Sequence, residues 1–118
     1  MIFAFVEDGT LQILADVDQA RRDHEGIDVE AGAVNFYDER GTPLVARFSV
    51  PNRRGRFLGL FPWMESGVFD LVAAPGSTAD PFALALFEAV SLEPNAWFGS
   101  LESLKDTLRE RGVKVDYP

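Results

Sequence analysis

Paired carboxylates form the first pattern that could do chemistry. Asp16-Val17-Asp18 follows the apolar run Thr10–Ala15. When two carboxylates follow a strand, the first can attack the phosphorus atom of a phosphoryl group and the second can transfer a proton to the leaving oxygen, while magnesium neutralises the phosphate. Gln19-Ala20 stands where such a site usually has Gly and Thr, and a calcium loop that began at Asp16 would have Arg21 where it needs glycine. We therefore expect Asp16 to cap a helix and Asp18 to lie in its first turn.

The residue types of this chain give little support for nucleophilic catalysis. His24 is the single histidine, and a general base is the role that would use it. No Gly-x-Ser-x-Gly motif accompanies it, so Ser77 is interpreted as a turn residue and Ser100 as a helix cap. The chain has no cysteine, which excludes a thiol nucleophile, a disulfide scaffold and a thiolate zinc site. We predict a protein that is not an enzyme and that uses no metal or cofactor.

Four arginines could bind an anion. They lie within residues 47–56, which hold no acidic residue, and guanidinium groups bind phosphate or carboxylate in a bidentate manner. One hypothesis is a small-molecule or anion site next to Phe57–Trp63, and the other interpretation is a solvated basic loop over 51–56. The candidate ligand-binding residues are Arg47, Arg53, Arg54 and Arg56.

Acidic residues dominate the first third of the chain. The 118 residues include 19 Asp and Glu against 11 Lys and Arg, for a net charge of −8, and residues 1–46 alone carry −7. An acidic chain is not a non-specific nucleic-acid binder, whereas an acidic surface accelerates encounter with a basic protein. The alternative is a surface that only keeps copies apart in solution. The predicted partner contacts are Asp18, Asp23, Glu25, Asp28, Glu30, Asp38 and Glu39.

Apolar and β-branched runs between turn residues predict the elements that position these side chains. Two hairpins, a later strand and three helices predict one α+β domain over 1–118, with a mainly antiparallel sheet of five or six strands and about three helices packed on one face of it. The strands are expected at 1–6, 10–15, 33–37, 42–50 and 67–73, and the helices at 17–25, 82–90 and 101–111. Trp63 and Trp97 are expected to close the core.

The sequence indicates the cellular location and the oligomeric state of the protein less specifically. No apolar run approaches the ~20 residues that span a bilayer, and Met1–Val6 lacks the basic start of a secretory signal. With no cysteine, the expectation is a cytoplasmic protein without membrane contact. Homo-oligomerisation through an edge strand or an aromatic patch stays open.

One stretch resembles a known group of proteins. Residues 25–44, EGIDVEAGAVNFYDERGTPL, are similar to small acidic bacterial proteins of uncharacterised function, some of them like the immunity proteins encoded beside toxins. The resemblance implies a small, non-enzymatic binder that neutralises a toxin by masking its basic surface. It carries over no individual functional residue.

Overall fold

The computed structural model describes all 118 residues of the chain. Six strands form the main sheet in the order β7-β4-β3-β1-β2-β8, and every neighbouring pair is antiparallel except β2 with β8. Strands β5 and β6 pair only with each other. The α+β class, the single domain and the mainly antiparallel sheet are confirmed. The elements are β1 Ile2–Val6, β2 Thr10–Leu14, α1 Val17–Asp23, α2 Gly26–Glu30, β3 Val34–Asp38, β4 Pro43–Val50, β5 Arg53–Phe57, β6 Phe61–Glu65, β7 Val68–Ala73, α3 Phe82–Glu88, β8 Ser91–Leu92 and α4 Leu101–Glu110.

Helices cover both faces of the sheet, which corrects the expectation of one covered face. Phe3 of β1 packs with α3 and α4 in one apolar cluster, while Ile2 and Ala4 of the same strand pack with α1 in the other. Successive side chains of a strand point to opposite faces, so the unbroken apolar sequence of β1 requires a layer on each side. The helices number four, because the expected 17–25 helix ends at Asp23 and a separate short helix begins at Gly26.

A two-stranded ribbon replaces the expected basic loop. Arg53–Phe57 pairs with Phe61–Glu65 in an unbroken antiparallel register from Arg53↔Glu65 to Phe57↔Phe61. We call residues 53–65 the arm. It continues the β4–β7 hairpin outward, and the molecule measures 56 × 29 × 25 Å. Its radius of gyration is 15.8 Å, against about 13 Å for a compact domain of this length.

The helices are also short. None of the four is long and apolar enough to cross a lipid bilayer.

Candidate protein interface

The arm exposes a long uncharged sequence. Phe57–Met64 contains no charged residue, and no residue of β5 or β6 is buried. Six large apolar side chains of this run are between 42% and 77% exposed, namely Phe57, Leu58, Leu60, Phe61, Trp63 and Met64. Monomeric proteins seldom expose an apolar patch of more than a few hundred Å² unless it binds something. The arm is therefore the main candidate for an interaction surface.

The two faces of the arm differ in chemistry. The register places Trp63 opposite Gly55 and Phe57 opposite Phe61, so these aromatic rings share one face. A Cβ atom on residue 55 would lie 2.6 Å from the Trp63 indole, which shows that the indole lies across the bare glycine. The alternate positions form the other face, which carries Arg54 and Arg56. One face of the arm therefore carries the aromatic rings beside the Arg53–Glu65 pair, and the other carries Arg54 and Arg56 beside Met64 and Pro62.

Asn52 fixes the base of the arm. Its Nδ2 donates to the carbonyl oxygen of Gly26 at 3.0 Å and to Oε2 of Glu30 at 2.9 Å, and its Oδ1 accepts from the amide of Gly67 at 2.7 Å. Both glycines permit this approach, because a Cβ on residue 26 would lie 2.7 Å from Oδ1 of Asn52 and one on residue 67 would lie 1.9 Å from the carbonyl oxygen of Val50. The arm is thereby attached to helix α2.

The four arginines of the anion-site hypothesis do not converge. Arg54 pairs with Glu30 at 3.5 Å. Arg53 lies opposite Glu65, and Arg47 lies opposite Asp70. Arg56 pairs with no carboxylate, and none of the four arginines lines any of the five cavities. The structure thus offers the anion-site hypothesis no cavity.

The seven predicted acidic contacts fall into two places. Five lie on the α1–α2 layer or between its helices, whereas Asp38 and Glu39 lie at the β3–β4 turn. The turn pair has partners in the molecule: Asp38 accepts from the amides of Arg40 and Thr42 at 2.9 Å, and Glu39 lies 3.8 Å from the terminal amine.

On the α1–α2 layer, two of the five acids are also paired. Asp18 binds Arg21 at 2.6 Å, and Glu30 binds Asn52 and Arg54. The remaining three are exposed and unpaired, and they are Asp23, Glu25 and Asp28. The acidic surface is consequently smaller than the sequence suggested.

The contacts of His24 are those of a structural residue. Its Nε2 lies 2.6 Å from Oε1 of Gln12, and its ring packs edge-on against Phe36. Burial lowers the pKa of His24 below its ordinary value of 6.5, although the charges of Asp23, Asp28 and Glu93 act in the opposite direction. The neutral imidazole is the form that this environment favours.

The largest cavity is an acidic groove on the α3 side of the sheet. Its volume is 420 Å³, and Tyr37 in its wall donates from its hydroxyl to the carbonyl oxygen of Asp80 at 2.6 Å. Burial raises the pKa of the Tyr37 hydroxyl above 10. No group of three or more carboxylate or histidine side chains could hold a metal ion. We call this cavity the groove, and the residues used below are Phe5, Val6, Glu7, Gly32, Asn35, Tyr37, Asp80, Ala85, Glu88 and Ala89.

Both tryptophan predictions were wrong. Trp63 is 42% exposed and Trp97 is 47% exposed. Trp63 lies on a ribbon that no helix covers, and Trp97 lies in the loop between β8 and α4. The sequence signal for the arm was the uncharged run Phe57–Met64, which lies between Arg56 and Glu65 and of which only Trp63 was assigned to the core.

No protein-family model matches this chain, and neither a curated protein nor a solved structure shows significant similarity to it.

Proposed function

We propose that this protein is a non-catalytic protein-binding module of the cytoplasm and that the arm is its contact element. The observation that carries the proposal is the exposure of Phe57–Met64, eight consecutive uncharged residues on a projecting ribbon. Interfaces are enriched in aromatic residues, methionine and arginine, and the arm is built from these types. Its partner should offer an apolar surface to the aromatic rings and carboxylates to the arginines.

Site-specific photo-crosslinking in the cell tests the proposal. A photoreactive amino acid at Leu58 reports contacts of the arm, and the same group at Glu102, an exposed residue on α4, is the matched control. We expect one discrete protein adduct from position 58 and none from position 102. Identical adduct patterns from both positions, or lipid adducts alone from position 58, would contradict the proposal.

The acidic surface supports a second candidate contact, of the kind that the resemblance to immunity proteins implies. Asp23, Glu25 and Asp28 are exposed and have no cationic partner within the molecule. We propose that they attract a basic partner protein and increase its association rate, an effect that salt weakens.

Charge reversal tests the acidic contact. Glu25→Lys with Asp28→Lys changes the net charge by the same amount as Glu102→Lys with Glu110→Lys on α4. Against the product of the neighbouring gene, we expect the first pair to lower the association rate by roughly tenfold at low salt. The control pair should lower it much less, and equal losses would show that only the net charge acts.

A further inference from the structure

We infer that the arm binds a second copy of this chain and that the groove of that copy receives it. This inference rests on the proposed function, because it names the partner of the same contact element. It starts from the arm and the groove of one molecule, whose chemistries are complementary.

Charge supports a second copy as the occupant. The arm contains three arginines and one glutamate and so carries +2. The other residues carry −10, which gives the chain its net charge of −8. The groove wall includes Glu7, Asp80 and Glu88 and contains no lysine or arginine. Arg56 of the arm has no carboxylate partner in its own molecule. A second copy would give it one.

The apolar side chains of the arm and of the groove are also complementary. Besides its carboxylates, the groove is lined by Phe5, Tyr37, Ala85 and Ala89, which offer an apolar surface to the aromatic side chains of the arm. The cavity of 420 Å³ lies within the ~300–1,000 Å³ range of binding pockets. A groove lined by apolar side chains and carboxylates is chemically complementary to a ribbon that carries aromatic rings and arginines.

The topology brings arm and groove to the same end of the molecule. Strand β4 runs antiparallel to β3, so Val50, which leads into the arm, points toward the end at which β3 begins. The groove reaches that end, because Val6, Glu7, Gly32 and Asn35 are among its lining residues. Two molecules placed end to end about a two-fold axis could therefore exchange arms reciprocally.

A reciprocal exchange closes the assembly. Each copy contributes one arm and one groove, and such an isologous dimer leaves no unused arm to recruit a third copy. A stable interface buries about 800 Å² of each partner. Three aromatic and three other large apolar side chains are exposed on the arm, and they supply surface of that order because each buried aromatic side chain covers roughly 150–250 Å².

Mass in solution gives the first test. By light scattering over a concentration series, we expect the wild-type chain to reach twice its monomer mass of 13.1 kDa. Phe57→Ser with Phe61→Ser, and separately Glu88→Arg, should each raise the dissociation constant at least roughly tenfold. Glu102→Arg is the matched control and should leave the dimer intact. Circular dichroism identifies any variant that has not folded.

A charge exchange and a crosslink test the pairing itself. Arg56→Glu should weaken the dimer, and Arg56→Glu combined with Glu88→Arg should restore it. Because the chain has no cysteine, Met64→Cys mixed with Glu88→Cys should form a disulfide-linked dimer of the two variants on oxidation, whereas Met64→Cys mixed with Glu102→Cys should not. The crosslink detects the contact directly, so its result does not rest on a substitution that could destabilise the fold.

The outcomes separate the two proposals. A chain that stays monomeric but crosslinks from Leu58 to a different protein retains the proposed function and overturns the second copy as partner. A dimer that survives Glu88→Arg and forms no 64–88 crosslink overturns the groove as the binding site. A monomer without adducts at position 58 overturns both.

Discussion

At the scale of single residues, Asn52 joins three segments that are distant in sequence. Its side-chain amide binds the carbonyl oxygen of Gly26, the carboxylate of Glu30 and the amide of Gly67. An alanine at this position would leave the Gly67 amide without its acceptor, and an unsatisfied, partly buried backbone donor costs about 1–3 kcal/mol.

We therefore expect Asn52→Ala to lower the free energy of unfolding by about 1–3 kcal/mol. Urea denaturation followed by tryptophan fluorescence measures the loss. Asn35→Ala is the control, since Asn35 is an exposed strand residue without a side-chain hydrogen bond to the rest of the protein, and it should cost less than about 0.5 kcal/mol. Equal losses from both variants would show that Asn52 does not fix the arm.

His24 makes the stability depend on pH. Burial lowers its pKa in the folded state, so between that lowered value and about 6.5 the unfolded chain binds more protons than the folded chain. The contribution of His24 is therefore fully present above pH 6.5 and is lost as the pH falls through the pKa of the folded state.

We expect the wild type to lose more stability than His24→Gln between pH 7 and pH 5, because glutamine keeps a donor for Gln12 but does not titrate. Denaturation at the two pH values measures the difference, since the carboxylates that also titrate are common to both proteins. Parallel losses in the two proteins would contradict the assignment, and NMR titration of the His24 ring would then give a pKa at or above 6.5.

At the scale of elements, the arm contributes nothing to the apolar core of the body. No arm residue belongs to either apolar cluster, and the β4–β7 pairing from Leu44 to Val50 does not involve it. A variant in which Asn-Gly replaces residues 53–65 should connect β4 and β7 through a short turn that suits a hairpin.

This armless variant should fold with an unfolding free energy within about 1 kcal/mol of the wild type, since the removed segment contributes no buried side chain. Chemical denaturation measures the stability, and light scattering measures the mass. We expect a monomer at every concentration. If the variant fails to fold, the arm is part of the core assembly and our description of it as a separate contact element is wrong.

The hairpins were predictable from sequence, whereas the arm was not. Strands β1 to β4 are marked by apolar and β-branched runs and by turn residues such as Asp38–Gly41. The run Phe57–Met64 has the composition of a core strand, and whether it is buried depends on a covering layer that is determined far away in the chain. The role of Asn52 was missed for the same reason, because its partners at residues 26, 30 and 67 come together only in the fold.

The same limit applies to the candidate sites. From the sequence, Asp18, Asp23 and Glu25 could be placed on a helix and Asp38 and Glu39 on a turn. Helix α2 was not predicted, and neither was the pairing of Glu30, because Arg54 reaches Glu30 only in the folded molecule. The groove has no signature in sequence, because residues from β1, β3 and α3 line it.

At the scale of the whole molecule, charge is separated along the long axis. The arm carries +2 at one end and the remaining residues carry −10, so attraction between the arm of one copy and the body of another should depend on ionic strength. The aromatic contacts do not share this dependence, because burial of apolar surface is not screened by salt.

We accordingly expect the dimer to weaken by roughly tenfold between 0.05 M and 0.5 M sodium chloride and then to change little. Sedimentation equilibrium at several salt concentrations measures the dissociation constant of the dimer. Arg56→Glu is the control, and its weaker dimer should lose this salt dependence. A dimer that strengthens steadily with salt would indicate that apolar association alone holds the two copies together.

The separation of the arm from both apolar clusters also has an evolutionary consequence. Most substitutions in a small domain are limited by stability, since a loss of a few kcal/mol is a large part of the total. Residues 53–65 escape that limit because their side chains support no core. The sequence of the arm can therefore change without unfolding the body, and sequences with this fold should differ more in the arm than in the two apolar clusters.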